Sequence, residues 1–282
     1  MPELPEVETI ARSLRDGRGD AATILGGTIE HISVLWERSI AAPTVAEFIR
    51  SIEKQVIQRI ERRGKYIVIT LSHDTLLIHL RMSGDLRVEQ FDGHAAPALK
   101  RHDRVVFSLQ EDKRLIFEDA RKFGRIWLLE DPQCELAKLG PEPLSDQLTA
   151  DVFHAMLQQS KRQLKPLLMD QTFLAGLGNI YTDEALFKAR LHPLMMAQTL
   201  TREQAAALLS AIKDTLQDGI RKNGASIDWV YRGGDFQNHF FVYGRKGQPC
   251  RVCGTPIERL VVGQRGTHIC PHCQMQNKED VA

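Results

Sequence analysis

Apolar residues at Leu4, Val7, Ile10, Ala11 and Leu14 recur at helical spacing behind Pro5, and Gly17 ends the run. One apolar face, a first-turn proline and a terminal glycine predict a helix over residues 5–15. The period then changes. Short runs rich in Val, Ile, Leu and Phe occupy residues 28–35, 66–71, 75–80, 104–109, 114–118 and 125–129, separated by turn residues or charges. These predict strands. No helical pattern alternates with them, which argues against a parallel βαβ sheet and for an antiparallel sandwich or barrel. Gly140-Pro141-Glu142-Pro143 marks a boundary. Helical periodicity follows over residues 151–159, 163–169, 180–189 and 202–222, with Thr201 placed to cap the last helix and Asn223-Gly224 to stop it. Gly233-Gly234 reads as a loop, and residues 240–275 as short β-like pieces. The expected organisation is a sandwich over residues 1–135, a linker over 136–149, a helical domain over 150–235 and a small module over 240–276.

Composition narrows the class. The chain has 282 residues, 43% of them hydrophobic and 26% charged, ordinary values for a globular protein. No apolar run reaches the ~18 residues of a membrane span. The acidic N-terminus has no apolar signal core, so secretion is not expected. A net charge of +1 does not by itself point to a polyanion. The charge is uneven, however. Between Gly244 and Cys273 stand Arg245, Lys246, Arg251, Arg259 and Arg265 against Glu258 alone. Arg59, Arg62, Arg63 and Lys65 form a second cluster, and Lys100, Arg101 and Arg104 a third. Each could be a solvated face; three together suggest patches that meet a polyanion.

The cysteines carry the strongest single motif. Cys250-x2-Cys253-x16-Cys270-x2-Cys273 is two knuckles on a hairpin-sized spacer. It fits one structural zinc ion with four thiolates and no open position. Cys134 stands apart and reads as a buried small hydrophobe. Inside the spacer, Gly263-Gln264-Arg265-Gly266-Thr267 suggests either a hairpin tip that pushes Arg265 toward a phosphate or a plain exposed turn. Gly176-Leu177-Gly178-Asn179-Ile180-Tyr181 precedes a predicted helix and suggests either an anion clamp or a plain interhelical turn. It is not a dinucleotide fingerprint, because no strand precedes it.

The N-terminus offers chemistry of its own. Removal of Met1, which the small Pro2 permits, leaves a secondary amine with Glu3 and Glu6 close by in sequence. An α-amino group titrates near pH ~7.7–8.0, so part of it is neutral at physiological pH. Such an amine can attack a sugar carbon and form a Schiff base. The plainer reading is an acidic terminus ahead of a helix.

Taken together, these motifs resemble the bacterial formamidopyrimidine-DNA glycosylase family over essentially the whole chain. The carriers are Pro2 to Thr9, Arg63-Gly64-Lys65-Tyr66, His79 to Gly84, Asp119 to Gly124, Leu139 to Leu144, Gly176 to Tyr181, Tyr243-Gly244-Arg245 and the cysteine module. The resemblance implies an α+β multidomain fold: an N-terminal antiparallel β-sandwich with an N-terminal helix, a helical domain with a helix–two-turn–helix motif, and a zinc finger. It implies a glycosylase with abasic-site lyase activity on oxidised purines. Pro2 would be the nucleophile, Glu3 the acid/base, Glu6 a second carboxylate, and Lys65 a phosphate contact that assists elimination. Met82, Arg121 and Phe123 would fill the gap left by a flipped nucleotide. His102 and Lys161 would contact DNA, while Asn179 and Arg265 would grip phosphates, Arg265 also serving strand cleavage. His79 would be either a DNA contact or a buried hydrogen-bonding histidine. Taken singly, Met82 and Phe123 would read as core.

The implied partner is double-stranded DNA holding an oxidised base, met by a cytoplasmic, nucleoid-associated monomer. Three departures from the family pattern stand out: Ala120 replaces a proline, Lys122 replaces an arginine, and residues 225–238 differ from the best-known lesion-capping loop. Ser160 aligns where the family carries a lysine, with Lys161 beside it. Rival readings are an endonuclease VIII-type enzyme for oxidised pyrimidines, a catalytically silent zinc-finger DNA-binding protein, and a metabolic enzyme with a zinc staple.

Overall fold

The computed structural model describes residues 1–17, 22–91, 93–226 and 233–275. It divides into two compact units, Met1–Ala137 with Ala225–Gly234, and Lys138–Gly224 with Asp235–Ala282. Residues 227–232 of the 225–238 segment lie outside the described residues; on either side of them, the Ser226 hydroxyl bonds both the N–H and the carbonyl of Gly234.

The N-terminal unit opens with α1 (Leu4–Asp16) and ends with a short α3 (Gln133–Leu136). Between them run β1 (Ile29–Val34), β2 (Ile40–Ala42), α2 (Val45–Ile52), β3 (Ile57–Arg63), β4 (Tyr66–Leu71), β5 (Thr75–His79), β6 (Gly84–Gln90), β7 (Asp103–Leu109), β8 (Lys113–Asp119) and β9 (Arg125–Leu129). The strands form two sheets, ordered β1-β7-β8-β6 and β2-β9-β5-β4-β3. Every pairing is antiparallel except β2 with β9. Both sheets and α1 feed one core: Val7, Ile10 and Leu14 of α1, Ile60, Ile67 and Ile69 of one sheet, Phe107 and Phe117 of the other. This is the expected sandwich with its helix.

Three strands escape the periodicity: β2, β3 and β6. All are edge strands. Edge strands carry charges that deter pairing with other chains, and β3 (IQRIERR) buries only Ile57 and Ile60. Three of the four residues of one basic cluster, Arg59, Arg62 and Arg63, are therefore sheet edge, with Arg62 paired to Glu8 at 3.0 Å. Arg104 of another is buried and donates from Nε to the Asp119 carbonyl at 2.7 Å. Cys134 corrects its expectation. It is exposed, with Sγ donating to the Asp131 carbonyl at 3.1 Å, because a one-turn helix at the unit's margin offers no core to enter.

The C-terminal unit contains α4 (Ala150–Gln158), α5 (Leu164–Leu168), α6 (Asn179–Lys188), α7 (Arg202–Arg221) and a hairpin of β10 (Glu258–Val262) with β11 (Arg265–Ile269). The Thr201 hydroxyl accepts from the Gln204 N–H and caps α7. Helix α6 packs on α7 and β11 and is buried all round, from Ile180 to Phe187. It nevertheless carries Asp183 and Glu184, each 1% exposed. Buried charge persists only when paired or hydrogen-bonded, and here the pairs dock the cysteine module. Glu184 accepts from the N–H groups of Phe241, Val242 and Tyr243 at 2.8–2.9 Å. Asp183 Oδ1 accepts from Lys165 Nζ at 2.6 Å, and its Oδ2 from the His268 N–H at 2.9 Å. Lys165 Nζ, fully buried, also donates to Thr267 Oγ1 at 2.8 Å and to the Gly266 carbonyl at 3.1 Å.

Removing one partner of a buried pair strands the other. Lys165→Met should cost about 3–5 kcal/mol of stability, and Lys165→Met with Asp183→Leu should cost less than the single change. Denaturant titration of both variants checks this; a single-variant loss below about 1 kcal/mol would show that the pair does not hold the module.

Candidate active site

The head of α1 is buried although it is a chain terminus. Pro2 is inside, Glu3 is 2% exposed and Glu6 is 3% exposed. Glu6 uses both carboxylate oxygens on backbone: Oε2 accepts from the Glu3 N–H at 2.8 Å and Oε1 from the Ala225 N–H at 2.7 Å. The first contact is half of a capping box; the second ties the helix start to a segment more than two hundred residues away in the chain. Glu6 therefore fixes the residue adjoining Pro2, a scaffold contact that sequence alone did not reveal.

Lys65 sits in the two-residue turn between β3 and β4, the sheet edge against which α1 packs, and is 4% exposed. The preceding Gly64 has φ +55°, a conformation glycine adopts freely. His79 pairs in register with Tyr66, whose ring meets the imidazole edge-on at 4.7 Å. Its Nδ1 accepts from the Arg81 N–H at 3.0 Å. Burial, then the charges of Arg81 and Lys65, pull His79 down to about 3. The imidazole is neutral at physiological pH, with its proton on Nε2.

A second constellation in the same unit hangs on Asp119, which is fully buried. Its carboxylate bonds the Ser83 hydroxyl, accepts from the Arg121 N–H at 3.1 Å and from the Gly124 N–H at 2.7 Å. The Arg121 N–H also donates to Ser83 Oγ at 2.9 Å, and the Asp119 N–H donates to the His102 carbonyl at 2.9 Å. Asp119 thus organises the three segments that carry Met82, His102 and the run Arg121–Phe123. Two glycines let the loops close: a Cβ on Gly84 would meet the Leu80 carbonyl at 2.5 Å, and one on Gly124 the Phe117 ring at 2.3 Å. Met82 is half-buried, Arg121 is exposed and Phe123 is 56% exposed. Neither Phe123 nor Met82 is core. A rigid loop that holds a phenyl ring outward beside a guanidinium offers an apolar wedge and a hydrogen-bonding fork. Ser83 and Asp119 stood inside quoted motifs, but nothing in their spacing signalled this role.

In the C-terminal unit, Asn179 is the first residue of α6 and Arg265 the first of β11. Gly263 and Gln264, at φ +54° and +63°, form the hairpin turn, so Arg265 stands beside the tip and is exposed. The Gly266 carbonyl accepts from Asn179 Nδ2 at 3.1 Å as well as from Lys165 Nζ. One carbonyl therefore joins a helix N-terminus to an outward arginine, a geometry suited to an anion. Lys161 is exposed on the connection between α4 and α5. Arg245, by contrast, donates to the Phe241 and Pro249 carbonyls at 2.6 and 2.9 Å, and so braces the module.

The sulfurs of Cys250, Cys253, Cys270 and Cys273 all lie within 4.8 Å of one another. Separations of 3.4, 3.5 and 4.0 Å bracket the ~3.8 Å expected around a tetrahedral zinc with ~2.3 Å bonds. Donor set and spacing fit one structural zinc ion held by these four cysteines.

Comparison with known proteins covers almost the entire chain. Residues 1–126 match the formamidopyrimidine-DNA glycosylase N-terminal domain, 139–230 the H2TH domain of the same glycosylases, and 247–275 a zinc finger found in FPG and IleRS. The formamidopyrimidine-DNA glycosylase of Herpetosiphon aurantiacus is 44% identical, covering 97% of this chain and 100% of its own. That of Cytobacillus firmus is 40% identical over 98% and 100%. Among solved structures, MutM in complex with carbocyclic 8-oxo-G containing DNA is similar at TM-score 0.87 and 37% identity, covering 98% of this chain and all of that one. Wild-type Lactococcus lactis FPG with an oxidised pyrimidine containing DNA is similar at TM-score 0.87 and 36% identity, with the same coverage.

Two measurements check the site's chemistry. Elemental analysis should find one zinc per chain, and Cys270→Ser should abolish retention through dialysis; full retention would contradict the four-thiolate site. His79 takes up its proton only when the chain unfolds, throughout the window from pH 6.5 down to about 3. Its contribution to stability is whole above pH 6.5 and lost as the pH falls toward 3, at about 1.4 kcal/mol per pH unit. Unfolding titrations across that window should show the slope, and His79→Gln should flatten it.

Proposed function

The chain belongs to the formamidopyrimidine-DNA glycosylase family, and from that premise we propose that it excises oxidised purines from double-stranded DNA through Pro2. The carrying observation is the buried head of α1, where Glu6 fixes the backbone beside the residue that becomes the N-terminus once Met1 is removed. The freed ring nitrogen attacks C1′ of the damaged nucleotide and the base leaves with the glycosidic electron pair. Glu3 serves as the acid/base, protonating the sugar ring oxygen as the ring opens to a Schiff base. Loss of a proton from C2′ expels the 3′ phosphate, and a second elimination expels the 5′ phosphate. Lys65 and Arg265 assist these departures by pairing with phosphate oxygens.

Reaching C1′ requires the base to leave the stack, at a few kcal/mol of unstacking. Met82 and Phe123 are wedges of the kind that enter a vacated step. Arg121 offers its fork to the orphaned base. Asn179 and Arg265 hold phosphates beside the lesion, with His102 and Lys161 as further DNA contacts. One chain supplies every group, which suits a monomer, and its bacterial relatives fit an enzyme working in the cytoplasm at the nucleoid. No described helix is long and apolar enough to cross a membrane. Oxidised pyrimidines are a second substrate class, favoured by the similar structure that holds such DNA.

Borohydride should trap a covalent complex with an 8-oxoguanine:C duplex. Pro2→Gly, or any residue added ahead of Pro2, should lower trapping about a hundredfold or more while DNA binding persists. Trapping of an extended chain at the normal rate would overturn the reading. Parallel cleavage of a thymine glycol duplex ranks the two substrate classes.

A further inference from the structure

Between the two exposed wedge residues stands Lys122, whose side chain takes a different course. Its backbone is left-handed, φ +63°, and its Nζ lies 3.8 Å from the centre of the Trp36 ring. Asp119 grips the loop at the N–H groups of Arg121 and Gly124. The apex between those two points is fastened by the lysine on the indole. Trp36 is itself tied to the same frame. Its N–H and that of Leu35 donate to the Arg104 carbonyl at 3.1 and 2.8 Å, and Arg104 Nε donates to the Asp119 carbonyl. The indole N–H is buried without an acceptor among the described residues, so no hydrogen bond accounts for the ring's orientation. The ring meets the loop through its face, over which the lysine cation sits.

We propose that Trp36 and Lys122 are positioning residues: a strut that sets the height and angle of Arg121 and Phe123 before DNA arrives. The proposal rests on the reading of those two residues as the wedge. A preset wedge matters for the step in which a base leaves the stack. It matters little for cleavage at a site that has already lost its base. A lysine bound directly to phosphate would behave otherwise, because its loss would weaken both substrates and would not be reproduced by a change at Trp36.

Single-turnover kinetics on an 8-oxoguanine:C duplex and on a preformed abasic duplex separate these cases. Trp36→Leu and Lys122→Met should each slow base excision about three- to tenfold, with abasic cleavage within about twofold of wild type. The double variant should be no slower than either single one, since both remove the same contact. Trp36→Phe keeps a ring face and Lys122→Arg keeps a cation, so both should stay near wild type; they also control for misfolding of the leucine variant. Equal slowing on both duplexes, unchanged excision, or multiplied effects in the double variant would overturn the strut. Phe123→Ala tests the underlying reading separately. If it fails to slow excision selectively, the wedge itself is wrong. If it does so while Trp36→Leu does not, only the strut falls.

Discussion

The proposed chemistry depends on a carboxylate whose bonds go to backbone at the start of α1. Glu6 is buried and holds two backbone N–H groups, one at Glu3 and one at Ala225. Hydrogen bonds to an ionised group are about twice as strong as neutral ones and hold their geometry better. The clamp turns a chain terminus, ordinarily the least ordered part of a domain, into a fixed element. A nucleophile gains most from being held where the reacting atoms meet. In the proposed reaction, the residue that must come first in the chain is thus positioned by the one that grips its neighbour.

The same device recurs around the groups proposed to face DNA. Asp119 ties the segments of Met82, His102, Arg121 and Phe123 through backbone N–H groups and the Ser83 hydroxyl. In the C-terminal unit Asp183 and Glu184 dock the zinc module on α6, and the Gly266 carbonyl joins Asn179 to Arg265. Each buried acid accepts from N–H groups or a lysine, although at Glu184 burial outweighs its three backbone N–H bonds and pushes the carboxyl above its ordinary range. The outward groups are left exposed for a partner. Rigid support with exposed tips suits a surface whose ligand must be distorted to be read.

Much of this was legible beforehand, and the rest was hidden for physical reasons. The zinc site could be read at once, because four thiolates at two fixed spacings admit few alternatives. Helices α1 and α7 showed their faces and caps. The edge strands β3 and β6 did not, since charges on an edge erase the alternation that marks a strand. Helix α6 was placed correctly, yet its buried Asp183 and Glu184 gave no sign of their partners at Lys165 and residues 241–243. Pairing across the fold leaves no local spacing. For the same reason Asp119 passed as a motif residue, Arg245 as part of a basic patch, and Cys134 as core.

The central claim is that the ring nitrogen of Pro2 forms the covalent bond to the sugar. The direct test is peptide mapping by mass spectrometry after borohydride reduction of the complex with 8-oxoguanine:C DNA. The account predicts the reduced sugar adduct on the peptide that begins at Pro2, at its α-nitrogen. An adduct on the Lys65 side chain, with the Pro2 peptide unmodified, would contradict it.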